Sequence, residues 1–204
     1  MNSQNKKIYF QNFEFVINKN VYEPAEDSFL FAENLEVKKG ERVLDMGTGS
    51  GILGILSSIK AKEVIGIDIN PYAVHCAKKN AELNNVATCI SFIQGDLFGP
   101  LNKKDLFDLI LFNAPYLPET EEKALTWLEK AWAGGSNGRL VIDSFLSKVT
   151  YYLSFSGRIL LLQSTLSDVN KTLFCFEEKN LKADILAKLP IPFFETIVLI
   201  EAKF

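Results

Sequence analysis

Two rhythms run along this chain: short apolar runs of strand length, and longer stretches in which apolar residues recur at helical spacing. Ile8-Tyr9-Phe10 and Phe13 to Ile17 read as two short strands joined at Gln11-Asn12, a hairpin serving as a lid or an edge. Pro24 then opens a helix. Glu26 and Asp27 stand in its first turn, where acidic side chains complement the helix dipole, and Phe29, Leu30 and Leu35 face the core. Arg42 to Asp45 predicts a central strand, with an apolar helix from Ile52 to Ile59 behind it. Val64 to Asp68 is a second strand, Pro71 to about Leu83 a helix ended by Asn84-Asn85, and Cys89 to Ile93 a third strand. Phe107 to Leu111 is a fourth, stopped by the turn that follows Phe112.

Beyond it, Glu121 to Ala131 reads as a helix with Ala124, Leu125 and Leu128 on one face, and Leu140 to Leu153 as another. By composition, Ala133 to Gly138 is the loop between them. Ser156-Gly157-Arg158 turns into the strand Ile159 to Gln163. A helix over about Leu166 to Lys179 and strands at Ala183–Leu189 and Glu195–Ala202 complete the pattern, the last alternating enough to predict an antiparallel edge. Seven strands with helices between them predict an α/β fold with a doubly wound, mostly parallel sheet. One domain is expected, with residues 1–21 as a hairpin extension and 22–204 as the core.

Composition adds exclusions. With 48% hydrophobic and 12% aromatic residues the chain can bury a sizeable core. A net charge of −3 argues against a stand-alone nucleic-acid binder, which needs a basic face. The three cysteines, Cys76, Cys89 and Cys175, form no Cys-x-x-Cys pair and are expected to be buried, reduced thiols. His75 is the only histidine, so neither a metal site nor a Ser-His or Cys-His pair is expected. The polar start is not a signal peptide, and no apolar run approaches the roughly eighteen residues that span a bilayer. A cytoplasmic protein is the expectation.

Candidate chemistry collects at strand ends. Asp45, Asp68, Asp96 (within Gly95-Asp96-Leu97) and Asn113 follow four consecutive strands, and open α/β sheets bind ligands beyond their carboxyl ends. After Asp45 runs Met46-Gly47-Thr48-Gly49-Ser50-Gly51, a turn whose glycines let a ligand approach backbone and helix N-terminus. Ile52 stands where a dinucleotide fingerprint needs its third glycine, and no Gly-Lys-Ser/Thr follows, so that motif and a P-loop are excluded. Asp68 lies about twenty residues on, where a carboxylate accepts ribose hydroxyls. In Asn113-Ala114-Pro115-Tyr116, the Asn113 side-chain carbonyl and the Ala114 backbone carbonyl are two acceptors, and Pro115 biases Ala114 toward extended backbone. With the flat face of Tyr116 they make a socket for a planar group bearing NH2.

These residues resemble the class I methyltransferases that use S-adenosylmethionine, a Rossmann-like fold, and an Asn-Pro-Pro-Tyr turn there marks enzymes acting on amide or exocyclic amino nitrogens. Tyr22-Glu-Pro-Ala-Glu-Asp-Ser28 and Ala131-Trp-Ala-Gly-Gly-Ser-Asn-Gly-Arg139 are similar to HemK-related protein glutamine methyltransferases, closest to the archaeal and eukaryotic branch acting on class I translation release factors. That resemblance implies a seven-stranded sheet with an antiparallel last strand and S-adenosylmethionine as cofactor. It implies that Asp68 (with Ile69 beside it) holds the ribose and that Asp96 with Leu97 takes the adenine. Asp45, Gly47, Thr48, Gly49 and Gly51 would surround the methionine part, and Ser28 would lie over the cofactor. Asn113, Ala114, Pro115 and Tyr116 would hold the glutamine of a Gly-Gly-Gln loop. A small zinc-binding activator subunit is an implied partner. The rivals are a DNA or RNA adenine-type amino methyltransferase and a non-catalytic cofactor-binding module. Ala114 stands where the family has proline. If its N–H has no partner and its φ lies near −65°, proline there would stabilise by about 0.4–1 kcal/mol; if the N–H is bonded or φ lies elsewhere, proline would cost more than that and disturb the socket.

Overall fold

The computed structural model describes residues 6–119, 126–192 and 195–204. Strands β1 (Lys6–Phe10) and β2 (Phe13–Ile17) form a separate two-stranded sheet, and β3 (Arg42–Met46), β4 (Glu63–Asp68), β5 (Ile90–Gln94), β6 (Phe107–Asn113), β7 (Leu153–Ser164), β8 (Lys182–Ile191) and β9 (Glu195–Lys203) form the main one. The order is β5-β4-β3-β6-β7-β9-β8. Each pair from β5 to β7 is parallel, while β9 runs antiparallel to both β7 and β8. The antiparallel last strand is therefore as expected, but it is not an edge. β9 is inserted between β7 and β8 with Val198 to Ile200 buried, and the half-exposed alternation belongs to β8 at the rim.

Helices α1 (Glu26–Glu33), α2 (Ile52–Ser57) and α3 (Pro71–Leu83) accompany the first strands, and α4 (Leu140–Leu146) and α5 (Val169–Glu177) the later ones. Two apolar clusters lie on the two faces of the sheet. One joins Phe15, Phe31, Ile55 and Ala77 to Leu109, Leu111 and Leu199; the other joins Phe112, Phe145, Phe98 and Phe176 to Leu44, Ile110 and Ile200. Residues alternate between the faces along β6, which is why Leu109 to Phe112 are apolar without a break, while Asp108 near its start accepts from Arg42 N and Ser154 Oγ. The helix over Pro71–Leu83 has the predicted limits because local chemistry sets both ends. The Asn70 side chain accepts from Tyr72 N, Pro71 sits in the first turn, and Asn84 closes the last.

The hairpin is neither a lid nor part of the main sheet. It packs on α3, whose asparagines act as a substitute strand: Glu14 N donates to Asn84 Oδ1 at 3.1 Å and Val16 N to Asn80 Oδ1 at 2.9 Å. Of the cysteines only Cys76 is buried, Cys89 being exposed and Cys175 half-buried.

Two helix expectations fail. Residues 121–125 of the first, Ala124 and Leu125 included, lie outside the described residues, and the remainder holds one 3-10 turn, Glu129–Ala131. The second stops at Leu146, and after a 3-10 turn (Val149–Tyr151) β7 already starts at Leu153. Leu153 pairs with Phe107, and the register then jumps to Arg158 opposite Leu109, so residues 154–157 bulge. The helical period there is fortuitous, since Leu153 is buried by sheet pairing. A third helix is shortened: a 3-10 turn (Thr165–Ser167) precedes α5, capped by Asp168 accepting from Lys171 N. Among the described residues no helix is long and apolar enough to cross a membrane.

Candidate active site

Strand order turns four separate sequence features into one wall. β5, β4, β3 and β6 are neighbours, so Asp96 (beyond β5), Asp68, Asp45 and Asn113 follow one another along the carboxyl edge. At about 4.8 Å per strand the row spans about 14 Å. It floors a cavity of about 420 Å³, a size suited to a cofactor-sized ligand. Ser28, Asp45, Gly47, Thr48, Gly49, Asp68, Ile69, Asp96, Leu97 and all of Asn113 to Tyr116 line it. Gly51 does not. It begins α2 at φ 87°, and a Cβ there would lie 3.0 Å from that of Ala77, so this glycine serves helix packing.

The loop after β3 is held by carboxylates. Asp45 Oδ2 accepts from Thr48 Oγ1 at 2.5 Å and from Gly54 N at 2.9 Å. Burial pushes the Asp45 carboxyl up to about 7, against those two bonds, with Asp68 adding to the rise. Asp68 Oδ2 accepts from Gly49 N at 2.9 Å and Oδ1 from Asn70 N at 2.8 Å. Each oxygen keeps a lone pair for a hydroxyl of a ligand. Burial raises the Asp68 carboxyl as well. Gly47, at φ 65°, carries no Cβ beside the Phe112 ring, which one would approach to 3.3 Å. Bare backbone at Gly47 and Gly49, a two-pronged acceptor at Asp68 and the length of the row fit S-adenosylmethionine.

At the other end, Asn113 Nδ2 donates to Asp27 Oδ2 at 2.9 Å. Asp27 Oδ1 accepts from Ser28 N at 2.7 Å, from Tyr22 OH at 3.1 Å and from Ser28 Oγ at 3.3 Å. Asp27 is thus turned inward and buried, and not a solvent-facing complement to the helix dipole. With its NH2 engaged, Asn113 has its Oδ1 left to accept, the orientation that the socket expected from the sequence would need. Burial, then the nearby Asp27 carboxylate, raise the phenol ionisation of both Tyr22 and Tyr116, so both rings stay neutral. Ala114 N donates to Leu162 O at 3.3 Å, so the turn keeps a ladder bond that proline could not make.

The glycine-rich stretch after Trp132 is the buttress of this turn rather than a free loop. Leu117 N donates to Trp132 O and Gly134 N to Leu117 O, both at 2.9 Å, with Leu117 and Ala133 in a parallel bridge. Gly138 (φ 71°) lies so close that a Cβ would sit 2.3 Å from the Tyr116 carbonyl oxygen. Arg139, buried, donates from Nη1 to Asp168 O at 2.7 Å and Thr172 Oγ1 at 3.0 Å, and also to Ser167 O. Its Nη2 donates to Asp143 at 2.7 Å, which ties the buttress to α4 and α5. Trp132 lines the cavity with its ring 6.5 Å from that of Tyr22, edge to face. Sequence reasoning from the residues missed Asp27, Tyr22, Trp132 and Gly138. No periodicity singled out Asp27, which stands in a polar first turn beside Glu26 and Ser28, and the signal for Gly138 was a third glycine within five residues.

Comparison with known proteins agrees with this geometry. Residues 27–127 match the family described as ribosomal protein L11 methyltransferase (PrmA). A Methanocaldococcus jannaschii protein, provisionally named a protein N5-glutamine methyltransferase, is 42% identical over 194 residues, covering 94% of this chain and 96% of that one. Human methyltransferase HEMK2 is 34% identical over 173 residues, covering 79% and 80% respectively. Among solved structures, the E. cuniculi Mtq2–Trm112 complex, described as responsible for methylating the eRF1 translation termination factor, is similar. It has a TM-score of 0.68 at 25% identity, covering 90% of this chain and 98% of that one.

Proposed function

This chain belongs to the HemK-related protein N5-glutamine methyltransferases, S-adenosylmethionine-dependent enzymes, and we propose that its acceptor is the Gly-Gly-Gln glutamine of a class I translation release factor. The observation that carries the reading is the orientation of Asn113. Its NH2 is engaged by Asp27, so an oxygen meets the incoming group, and an oxygen suits an amide NH2.

When bound, S-adenosylmethionine supplies a methyl group on a positively charged sulfur. Asp68 would receive the ribose hydroxyls, with Ile69 alongside, and Asp96 with Leu97 the adenine. Asp45, Gly47, Thr48 and Gly49 would flank the amino-acid end, with Ser28 above. A neutral amide nitrogen is a poor nucleophile because its lone pair is delocalised into the carbonyl. Asn113 Oδ1 and the Ala114 carbonyl would take the two NH2 hydrogens and fix the nitrogen's direction, while Pro115 sets the carbonyl and Tyr116 stacks on the amide plane. Positioning and electrostatics then carry the rate, without a strong base at the nitrogen. As the new nitrogen–carbon bond forms the methyl–sulfur bond breaks, so the nitrogen gains the positive charge that the sulfur loses, a neutral thioether (S-adenosylhomocysteine) leaves, and the nitrogen then loses one hydrogen as a proton.

The proposal takes residues 22–204 as the catalytic unit and places the enzyme in the cytoplasm, where a translation factor works. It includes a small zinc-binding activator subunit, supported by the pairing of Mtq2 with Trm112. The test is methylation with labelled cofactor of release factor, of the same factor with its Gly-Gly-Gln glutamine replaced, and of tRNA and duplex DNA. Label confined to the unaltered factor is expected. Label on nucleic acid, or on both forms of the factor at equal rate, overturns the assignment.

A further inference from the structure

We propose that Asp27 is a positioning residue for methyl transfer: it locks the Asn113 amide in one of its two orientations and places a negative charge one amide group away from the acceptor nitrogen. The inference rests on the proposed reading of the Asn113 socket, and it concerns a residue 86 positions away in sequence.

An asparagine side chain is nearly symmetric in shape but opposite in chemistry at its two ends. Rotated by half a turn about its last bond, Asn113 would present NH2 to the substrate NH2, donor against donor, and the socket would reject what it now holds. Packing alone does not distinguish the ends, so something must bond to one of them. Asp27 does so, because a carboxylate oxygen can only accept from Nδ2. Asp27 is itself fixed. It is 7% exposed, and Oδ1 receives Ser28 N, Ser28 Oγ and Tyr22 OH, leaving Oδ2 aimed at Asn113. The carboxylate that orients Asn113 is thus itself oriented by Ser28 and Tyr22.

The charge has a separate consequence. Polarised by a carboxylate on its nitrogen, the Asn113 amide holds more negative charge on Oδ1, and the acceptor nitrogen becomes positive only as methyl transfer proceeds. An interaction that strengthens in the transition state raises kcat rather than lowering KM. Orientation and charge predict different behaviour in different variants. Asp27→Ala removes both. Asp27→Asn can offer its oxygen to Asn113 Nδ2 only by setting its NH2 against Ser28 N, so it keeps part of the orienting effect and none of the charge. Exchanging the pair, Asp27→Asn with Asn113→Asp, restores a donor-to-carboxylate bond with the charge now at the socket itself.

The experiment measures kcat and KM on whichever acceptor the wild-type enzyme labels, together with cofactor affinity and melting temperature, for Asp27→Ala, Asp27→Asn, Asn113→Ala, Asn113→Asp and both double variants. Expected is a kcat loss on the order of 10²–10³ for Asp27→Ala, with cofactor affinity within about threefold of wild type. Asp27→Asn should recover about tenfold of that loss. Asn113→Asp alone sets two carboxylates against each other and should be inactive, while the exchanged pair should regain activity over it. In a cycle, Asp27→Ala should add little to Asn113→Ala, because both break one unit. Equal kcat losses from Asp27→Ala in the wild-type and Asn113→Ala backgrounds would overturn the inference, as would an exchanged pair no better than Asn113→Asp. The identity of the labelled acceptor judges the substrate reading, and the ratios among variants judge this one. Since Asp27→Asn is isosteric, it supplies a folded comparison even where the alanine variant is lost.

Discussion

Gly138→Ala should damage catalysis from outside the cavity wall, because Gly138 supports the turn proposed to hold the substrate. Two costs add. Gly138 has φ 71°, a left-handed conformation that costs an alanine about 1–2 kcal/mol. The added methyl carbon would also stand 2.3 Å from the carbonyl oxygen of Tyr116 and 3.1 Å from Ser167 Cβ. An ordinary carbon–oxygen contact is about 1 Å longer than the first of these, so either Tyr116 or the buttress must retreat by that amount. Overpacking of this kind costs about 1–3 kcal/mol. The sum, roughly 2–5 kcal/mol, corresponds to a fall in Tm on the order of 10 °C for a chain of this size. A 1 Å displacement at a reacting group can cost about 10²-fold in rate. The glycine loop after β3 is on a different strand, so cofactor affinity should stay close to wild type. Gly40 is the control: its φ is 87° and a Cβ added there would meet nothing within 4 Å, so Gly40→Ala should pay the conformational cost and keep full turnover. Calorimetric melting, isothermal titration with cofactor and steady-state kinetics on both variants provide the comparison. If Gly138→Ala melted no lower than Gly40→Ala and kept wild-type kcat, the buttress account would be wrong.

Two further outcomes follow from the site. Ala114→Pro removes the N–H that bonds Leu162 O and leaves that carbonyl without its partner, so a loss of about 1–2 kcal/mol is expected, or a Tm lower by roughly 3–6 °C; a variant stabilised by about 0.4–1 kcal/mol would show that the bond is dispensable. Cofactor affinity should fall as pH drops below 7: burial holds the Asp45 carboxyl protonated up to about 7, a cationic ligand favours the carboxylate, and binding must then release a proton. Titrations from about pH 5.5 to 8 should show up to about tenfold per unit on the acid side, and less with S-adenosylhomocysteine, which lacks the sulfonium charge. An affinity that stayed flat across that range for both ligands would remove Asp45 from that role.

What the chain declares by itself is whatever is settled within a few residues. The Asn70-Pro71 start and Asn84 end of α3, the apolar run of β6 and the glycine turn after Asp45 are local patterns, so each was legible and in place. So were the polar residues at four strand ends, since each closes a short apolar run, and Asp45, though buried, is held there by bonds from Thr48 Oγ1 and Gly54 N. The family stretches at Tyr22–Ser28 and Ala131–Arg139 pointed to the function, but they did not say what Asp27 or Gly138 touches. Tertiary structure alone decided the rest. It set the order that aligns Asp96, Asp68, Asp45 and Asn113, and the insertion of β9 between β7 and β8. It turned Leu153 into a strand residue opposite Phe107, seated Gly138 on the Tyr116 carbonyl and brought Asp27 to Asn113. Each of these is a contact between residues distant in sequence, chosen by packing two faces of one sheet, and a helical or strand period carries no record of its partner.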